Sequence, residues 1–152
     1  MNFRLFKGGS KSKEKMVNLK LQLKVLSFLQ FFLWGSWLNT FGSYMFITLR
    51  FKGEDIGAVY STLGIAALIT STLFGIVADK WISAKWIYAA CHLFGAITLF
   101  VAASVTTPSA MFIVILLNSL VYMPTLGLSN TISYYRIQTA GMDIVTEFPP
   151  IR

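Results

Sequence analysis

Residues 56–85 read IGAVYSTLGIAALITSTLFGIVADKWISAK. No charged residue occurs between Ile56 and Ala78, and this run exceeds the roughly 18 apolar residues that a helix needs to cross a bilayer. We therefore predict that the run spans a membrane. Small side chains, which allow helices to pack closely in lipid, recur in it at every fourth position: Ala58, Thr62, Ala66 and Thr70.

The composition of the whole chain leads to the same fold class. Hydrophobic residues make up 55% of the 152 residues and charged residues only 12%, which is too apolar for a soluble domain of this size. We predict an all-α integral membrane protein. Seven of the 13 Lys and Arg residues lie before Val25, and a basic arm beside an apolar span is typical of contact with anionic lipid headgroups. Since no nucleic-acid recognition motif accompanies it, we expect a lipid bilayer and no nucleic acid as its partner.

Four apolar runs divide the chain. The basic arm and the first run also resemble a signal peptide, but the run is too long and no small-residue cleavage site follows it. The fourth run contains Pro124, which frees a backbone carbonyl and bends a helix. The predicted division is a basic cytoplasmic arm at 1–24, transmembrane helices at 25–49, 56–78, 86–105 and 110–135, a cytoplasmic loop at 79–85, and a cytoplasmic segment at 136–152.

The basic residues predict the orientation of these helices. With a cytoplasmic N-terminus, eleven Lys and Arg residues lie in cytoplasmic segments, and only Arg50 and Lys52 lie outside. Lys and Arg are enriched in cytoplasmic connections of membrane proteins. We therefore expect both ends of the chain in the cytoplasm.

Polar side chains inside the runs are the candidates for function, because burying them in lipid is costly. Gln30, Trp34 and Trp37 are four and three residues apart and so share one face of the first helix. An amide beside aromatic rings can bind a flat, polar organic solute, since the rings stack and the amide both donates and accepts. The alternative, which the spacing alone favours, is that Gln30 bonds to another helix and the tryptophans fill the bundle core. For His92, a helix-packing hydrogen bond is favoured over a proton relay.

The residue types also exclude some functions. The sequence shows no nucleophile with a matching base, no metal-ligand cluster and no phosphate-binding loop, so we expect no enzyme. No Asp, Glu, Lys or Arg lies inside any of the four runs. A proton-driven transporter would need its membrane-embedded carboxylate elsewhere.

One short motif and several longer strings resemble a known family. Gly75, Asp79 and Lys80 resemble the loop signature Gly-x-x-x-Asp-Arg/Lys of the major facilitator superfamily, although the glycine and basic pair that follow in that signature are absent here. The longer strings are similar to the bacterial nucleoside:proton symporter family, which includes nucleoside and xanthosine permeases. They are LSFLQ at 26–30, LWGSW at 33–37, GAVYS at 57–61, ADKW at 78–81, YMPT at 122–125 and FPPIR at 148–152.

This resemblance implies a twelve-helix transporter in two halves, with substrate bound between the halves. The present chain would be its N-terminal fragment, with four helices and a segment leading to a fifth, and would need the C-terminal helices to transport. The implied activity is import of nucleosides such as uridine, adenosine and other purine and pyrimidine nucleosides across the bacterial inner membrane. A proton is the coupling ion, and no cofactor is implied.

The resemblance also assigns roles to single residues. Asp79, with Gly75 and Lys80 beside it, matches the carboxylate that holds the cytoplasmic gate, and Arg136 is its expected local partner. Arg152 matches an arginine that points toward the substrate cavity, where a guanidinium can donate paired hydrogen bonds. The alternative for Arg152 is a cytoplasmic anchor at a helix end.

A second interpretation of the whole chain stays open at this point. Four helices could form a self-contained membrane protein that dimerises, either as a small exporter or as a partner subunit that does not transport. The absence of Asp, Glu, Lys and Arg inside the four runs argues against an exporter of that kind.

Overall fold

The apolar runs all form helices. The structure is a computed structural model that describes the backbone of residues 6–80 and 83–152 and the side chains of residues 14–70 and 83–152. No strand occurs in this described part, which confirms the predicted all-α class. The elements are α1 (Phe6–Ser43), a π-helical turn (Tyr44–Thr48), α2 (Gly53–Lys80), α3 (Ala84–Ala102), α4 (Pro108–Thr139) and the short α5 (Ile144–Glu147).

Three stretches in the described residues are long and apolar enough to cross a membrane. They are Glu14–Thr48 with 35 residues, Ala84–Ala102 with 19 and Pro108–Thr139 with 32. The fourth predicted span, 56–78, lies inside α2, whose 28 residues extend about 42 Å at the rise of an α-helix.

The N-terminal arm differs from its prediction. Residues 1–24 were expected to be a separate cytoplasmic arm before a helix at 25–49, but α1 runs without a break from Phe6. The reason lies in the apolar face that this segment carries between its lysines. Leu23 is only 3% exposed and packs against Ile137 and Ile151, and Lys20 Nζ lies 2.5 Å from Glu147 Oε2. The basic segment is therefore part of the first helix and is packed against the C-terminal residues.

The other boundaries also shift. In place of a loop at 79–85, α2 continues to Lys80 and α3 begins at Ala84; residues 81–82 lie outside the described residues. Helix α3 ends at Ala102, three residues before its predicted end, and α4 extends past its predicted bounds of 110–135 at both ends. Pro108 occupies the first turn of α4, where its missing N–H costs nothing. Segment 136–152 is not simply a loop, since it contains the end of α4 and all of α5.

Helix α4 is the centre of the bundle. It contains twelve of the buried residues and packs against both α2 and α3 over much of its length. The small-residue stripe of α2 faces it, because Thr62, Ala66 and Thr70 are buried whereas Ala58 is exposed. The Thr62 and Ser119 hydroxyls lie 3.3 Å apart between the two helices. Small side chains thus bring α2 and α4 close together, as expected for helices packed in lipid.

The far end of the bundle is closed by an apolar cluster. Met45 in the π-helical turn and Met111 in α4 are fully buried, and Phe51 packs with them. Arg50 turns the chain with a positive φ of 58°.

Next to this cluster, α1 approaches α2 at Gly42, where the Tyr60 hydroxyl donates to the Leu38 carbonyl oxygen at 2.7 Å. A Cβ at Gly42 would lie only 2.9 Å from Tyr60 Oη.

We expect Gly42→Ala to destabilise the protein by about 1–3 kcal/mol, because the added methyl displaces the Tyr60 ring and its hydrogen bond. Denaturation in detergent micelles, followed by circular dichroism, measures this. Gly35→Ala is the matched control, since a Cβ there meets no atom within 4 Å and both changes share the same helix-propensity effect. Adding Tyr60→Phe to Gly42→Ala should recover part of the loss. Equal stability of the two alanine variants would contradict the close approach.

Helix α5 should be sensitive to acid. Asp143 caps it by accepting the Thr146 backbone N–H at 3.0 Å, and hydrogen bonds from the Thr146 side chain and then from this N–H lower the pKa of Asp143 from its ordinary 3.8. Because this pKa is lower in the folded state, the Asp143 carboxylate stabilises the folded protein fully above pH 3.8. This stabilisation is lost as the pH falls through the folded-state pKa of Asp143. We expect a lower protection factor for the Thr146 amide once the pH falls below the folded-state pKa of Asp143, measured by NMR hydrogen exchange and corrected for the pH dependence of intrinsic exchange. Asp143→Asn should remove most of this pH dependence; an unchanged dependence in that variant would exclude the cap as its source.

Candidate functional site

The most connected polar side chain in the described residues is Gln30. It projects from the middle of α1 into the bundle and is only 1% exposed. Its amide Nε2 donates to Tyr122 Oη at 3.1 Å and to Thr125 Oγ1 at 2.8 Å, both on α4. Its Oε1 accepts from the Tyr88 hydroxyl at 2.7 Å and contacts His92 Nε2 at 3.1 Å, both on α3. One side chain therefore joins three helices.

The neighbouring hydroxyls determine which way this amide points. The Tyr122 hydroxyl donates to the Gln30 backbone carbonyl at 2.9 Å, and the Thr125 hydroxyl donates to the Tyr122 carbonyl at 2.6 Å. Both hydroxyl protons are thus already used, so these oxygens can only accept from Gln30, and the NH₂ group must face them. Oε1 then faces α3 and can only accept, which places a proton on His92 Nε2.

The structure places the polar atoms of the Gln30 amide against two other helices. Both amide hydrogens and both acceptor positions of Oε1 are occupied by other helices. The interhelical hydrogen bond is what the structure shows, and His92 takes part in the same packing contact. We name this set of five residues the Gln30 cluster: Gln30, Tyr88, His92, Tyr122 and Thr125.

Trp34 lies one helical turn beyond Gln30, as its spacing predicts. It packs against the cluster formed by Ala66, Tyr122 and Met123. Its indole Nε1 is buried and has no hydrogen-bond partner among the described residues. Buried donors without an acceptor are uncommon, so this N–H is a candidate for a contact made in another state or with a ligand. Pro124 is buried beside Met123 and Thr125, and α4 continues through it.

Arg152 lies against α1. Its Cζ is 6.0 Å from the centroid of the Phe31 ring, within the range of a cation–π contact. A helical turn places it there, since the amides of Ile151 and Arg152 both donate to the Phe148 carbonyl at 3.0 and 3.3 Å. Ile151 is buried against Leu23 and Ile137. The structure therefore brings Arg152 to the residue next to Gln30 in sequence, although it does not join the Gln30 cluster.

The predicted gate residues are only partly described. Arg136 is exposed in the last turn of α4, where it lines a groove with Ser83 and Lys85 at the start of α3. The side chains of Gly75, Asp79 and Lys80 lie outside the described residues. The expected pair of Asp79 with Arg136 stays a prediction.

Sequence reasoning missed three members of the Gln30 cluster. Tyr88 precedes His92 by four residues, and Tyr122 precedes Thr125 by three, so each pair shares a helix face in an otherwise apolar run. This spacing was the available signal. It shows which residues share a face but not which other helix that face meets.

These features define the class as a multi-pass membrane protein. Its apolar helices are long enough to cross a membrane, and buried hydrogen bonds of the Gln30 cluster join them at the middle of the bundle. Comparison with known proteins identifies the family within this class. The family model described as nucleoside H+ symporter matches residues 17–152. The chain belongs to this family.

Individual relatives are similar over the same region. The chain is 76% identical to nucleoside permease NupG of Escherichia coli (strain K12) and 54% identical to xanthosine permease of the same organism, in each case over 90% of this chain and 32% of the relative. A crystal structure of the nucleoside transporter NupG superimposes with a TM-score of 0.85 at 76% identity, covering 89% of this chain and 33% of that chain. The D323A mutant of NupG gives a TM-score of 0.86 over 88% of this chain and 33% of that one. The chain spans about a third of the length of these curated relatives.

We expect Gln30→Leu to destabilise the bundle by about 1–3 kcal/mol in detergent, because it leaves the partly buried Tyr88 hydroxyl and His92 Nε2 without their acceptor. Denaturant titration followed by circular dichroism measures it. Asn39→Leu is the matched control, since that amide is exposed on the same helix and contacts only the Gly35 carbonyl of its own helix.

A double-mutant cycle tests directly whether the hydrogen bonds of Gln30 join the helices. Combining Gln30→Leu with Tyr88→Phe should cost less than the sum of the single changes, because both remove the same hydrogen bond. Strict additivity, or an equal loss in Asn39→Leu, would exclude the Gln30 cluster as the tie between helices.

Proposed function

We propose that this chain forms the first helices of a proton-coupled nucleoside importer in the bacterial inner membrane. The observation that carries the proposal is membership of the nucleoside H+ symporter family across residues 17–152. The names of the relatives support nucleosides as the substrate class. Uridine and adenosine are the nucleosides that we propose within that class. The same family membership argues for a transporter and against an enzyme or a self-contained dimeric exporter.

The distribution of charge supports the orientation in this proposal, and the family description supports a proton as the coupling ion. The basic residues of α1 favour a cytoplasmic N-terminus. The proton is the proposed coupling ion. Because the four apolar runs contain no carboxylate, the proton-binding group would come from the part of the transporter that corresponds to the remaining length of the relatives.

Within this proposal the Gln30 cluster positions helices and does not itself bind the nucleoside. Its amide has no free donor or acceptor to offer a solute. The candidates for direct contact are the Trp34 indole N–H, which has no partner in the described part of the chain, and the Arg152 guanidinium. A guanidinium donates in a planar fork that suits the carbonyl of a base or the oxygens of ribose. Phe31 beside Arg152 offers a ring face on which a base can stack.

The gate role of Asp79 is proposed on the loop signature. Gly75 and Lys80 belong to that signature, and Arg136 at the end of α4 is the proposed partner of Asp79. Neutralising Asp79 would then loosen the cytoplasmic closure.

Uptake measurements test the proposed function. In a chimera, residues 17–152 replace the matching stretch of NupG, and the chimera is expressed in cells that lack other nucleoside carriers. We expect uptake of radiolabelled uridine that a proton uncoupler abolishes. Arg152→Ala in the chimera should weaken the apparent affinity for uridine about tenfold or more, since a hydrogen bond to a charged group contributes roughly 1.5–3 kcal/mol.

Two controls make this test specific. Lys52→Ala removes an exposed charge from the other end of the bundle and should leave uptake unchanged. Arg152→Lys keeps the charge but loses the fork, so an affinity between those of wild type and Arg152→Ala indicates paired hydrogen bonds. A chimera that inserts into the membrane at normal levels but carries no uridine would contradict the proposed function. Unchanged affinity in Arg152→Ala would remove only that residue from the site.

A further inference from the structure

Two neighbouring grooves open at the end of the bundle where α1 enters and α4 leaves. The first has a volume of about 750 Å³ and lies between α1 and α4, with Lys15 and Asn18 on one wall and Thr139 on the other. The second has a volume of about 820 Å³ and is bounded by Lys85 at the start of α3. Four residues line both grooves: Leu19, Gln22, Tyr135 and Arg136.

The grooves are basic. Lys15, Lys85 and Arg136 line them, and no carboxylate of the described residues does. The acidic side chains described near this end of the chain have other neighbours: Glu147 pairs with Lys20, and Asp143 caps α5. Cationic, amide and hydroxyl groups together form the donor set that binds phosphate oxygens.

The grooves also have an apolar side. Leu23, Leu26 and Ile132 line the second groove beneath its polar residues. The Tyr135 ring, 67% exposed, stands between the two. A freely soluble anion would contact only the polar side of the grooves. A ligand with a phosphate and a hydrocarbon chain would contact both the polar and the apolar side. Tyrosine and basic residues at the ends of apolar helices are typical of the level where phospholipid headgroups lie.

We propose that each of these two grooves binds the phosphate of an anionic phospholipid, with Lys15 as the cationic ligand in the first groove and Lys85 in the second, and with Leu26 and Ile132 along the acyl chains in the second. Basic pockets between transmembrane helices bind such headgroups in other membrane proteins. The site is separate from the Gln30 cluster and does not depend on the proposed transport of nucleosides. It gives the basic N-terminal segment a specific ligand in addition to a role in topology.

Lipid titration of the full chain in detergent tests this site. The purified 152-residue protein is titrated with a short-chain fluorescent phosphatidylglycerol, and fluorescence anisotropy reports binding. We expect saturable binding that weakens about fivefold for Lys15→Ala and for Lys85→Ala, the effect of one Lys or Arg near a headgroup. Lys24→Ala is the matched control, because it removes the same charge from an exposed position of α1 that lines neither groove. Its affinity should stay within about twofold of the wild type, since its charge lies outside both grooves.

Three further measurements distinguish a lipid site from misfolding, from a free-anion site and from diffuse attraction to the surface. Lys15→Arg should retain most of the affinity, which excludes misfolding as the cause of the loss in Lys15→Ala. The zwitterionic phosphatidylcholine should bind at least about fivefold more weakly than phosphatidylglycerol, and inorganic phosphate at millimolar concentration should not displace the lipid. Equal weakening by Lys15→Ala and Lys24→Ala would show diffuse attraction to the surface and overturn the proposal. Displacement by inorganic phosphate would identify a site for a free anion and would also overturn it.

Discussion

A buried amide that bonds to two other helices is the contact on which the arrangement of this bundle depends. In lipid there is no hydrophobic force between apolar helices, so close packing and polar contacts must select their positions. The Gln30 cluster provides such a selection, because only one rotation of α1 about its axis places the amide between Tyr88 on α3 and Tyr122 on α4. Helices α2 and α4 need no comparable polar contact, since their small residues already allow close packing.

Helix α1 is held differently along its length. At its middle it relies on neutral hydrogen bonds, whereas its N-terminal part relies on Leu23 in an apolar cluster and on the ion pair of Lys20 with Glu147. At its far end, the π-helical turn buries Met45 completely among residues of α2, α3 and α4. Many of its remaining apolar side chains stay exposed, including Phe28 at 64% and Phe32 at 57%. In a membrane such surfaces meet either acyl chains or further helices.

The sequence predicted the fold class and the existence of the helices well, because apolar runs free of charge allow few other structures in lipid. It predicted their ends poorly. The charged residues led us to predict that the first span starts at Val25 and that the second ends just before Asp79. In the structure α1 begins at Phe6 and α2 continues to Lys80, because charged residues do not prevent a helix from continuing. The site was predicted in part. Residue spacing placed Gln30 and Trp34 on one face. Only the packing of three helices reveals that Tyr88, His92 and Tyr122 converge on the amide, since these contacts join residues up to 92 positions apart.

The protons of the Gln30 cluster have defined positions: the Tyr88 hydroxyl donates to the amide oxygen, the amide donates to the α4 hydroxyls, and the Tyr122 hydroxyl donates back to the Gln30 backbone carbonyl. Each hydroxyl gives its single proton to a defined acceptor, and the primary amide at the centre separates donors on one side from acceptors on the other. A Grotthuss-type hop from α3 to α4 would require the amide to turn over and the Tyr122 and Thr125 hydroxyls to reverse together. The cluster therefore holds three helices together at the middle of the bundle with one defined arrangement of its hydroxyl and amide protons.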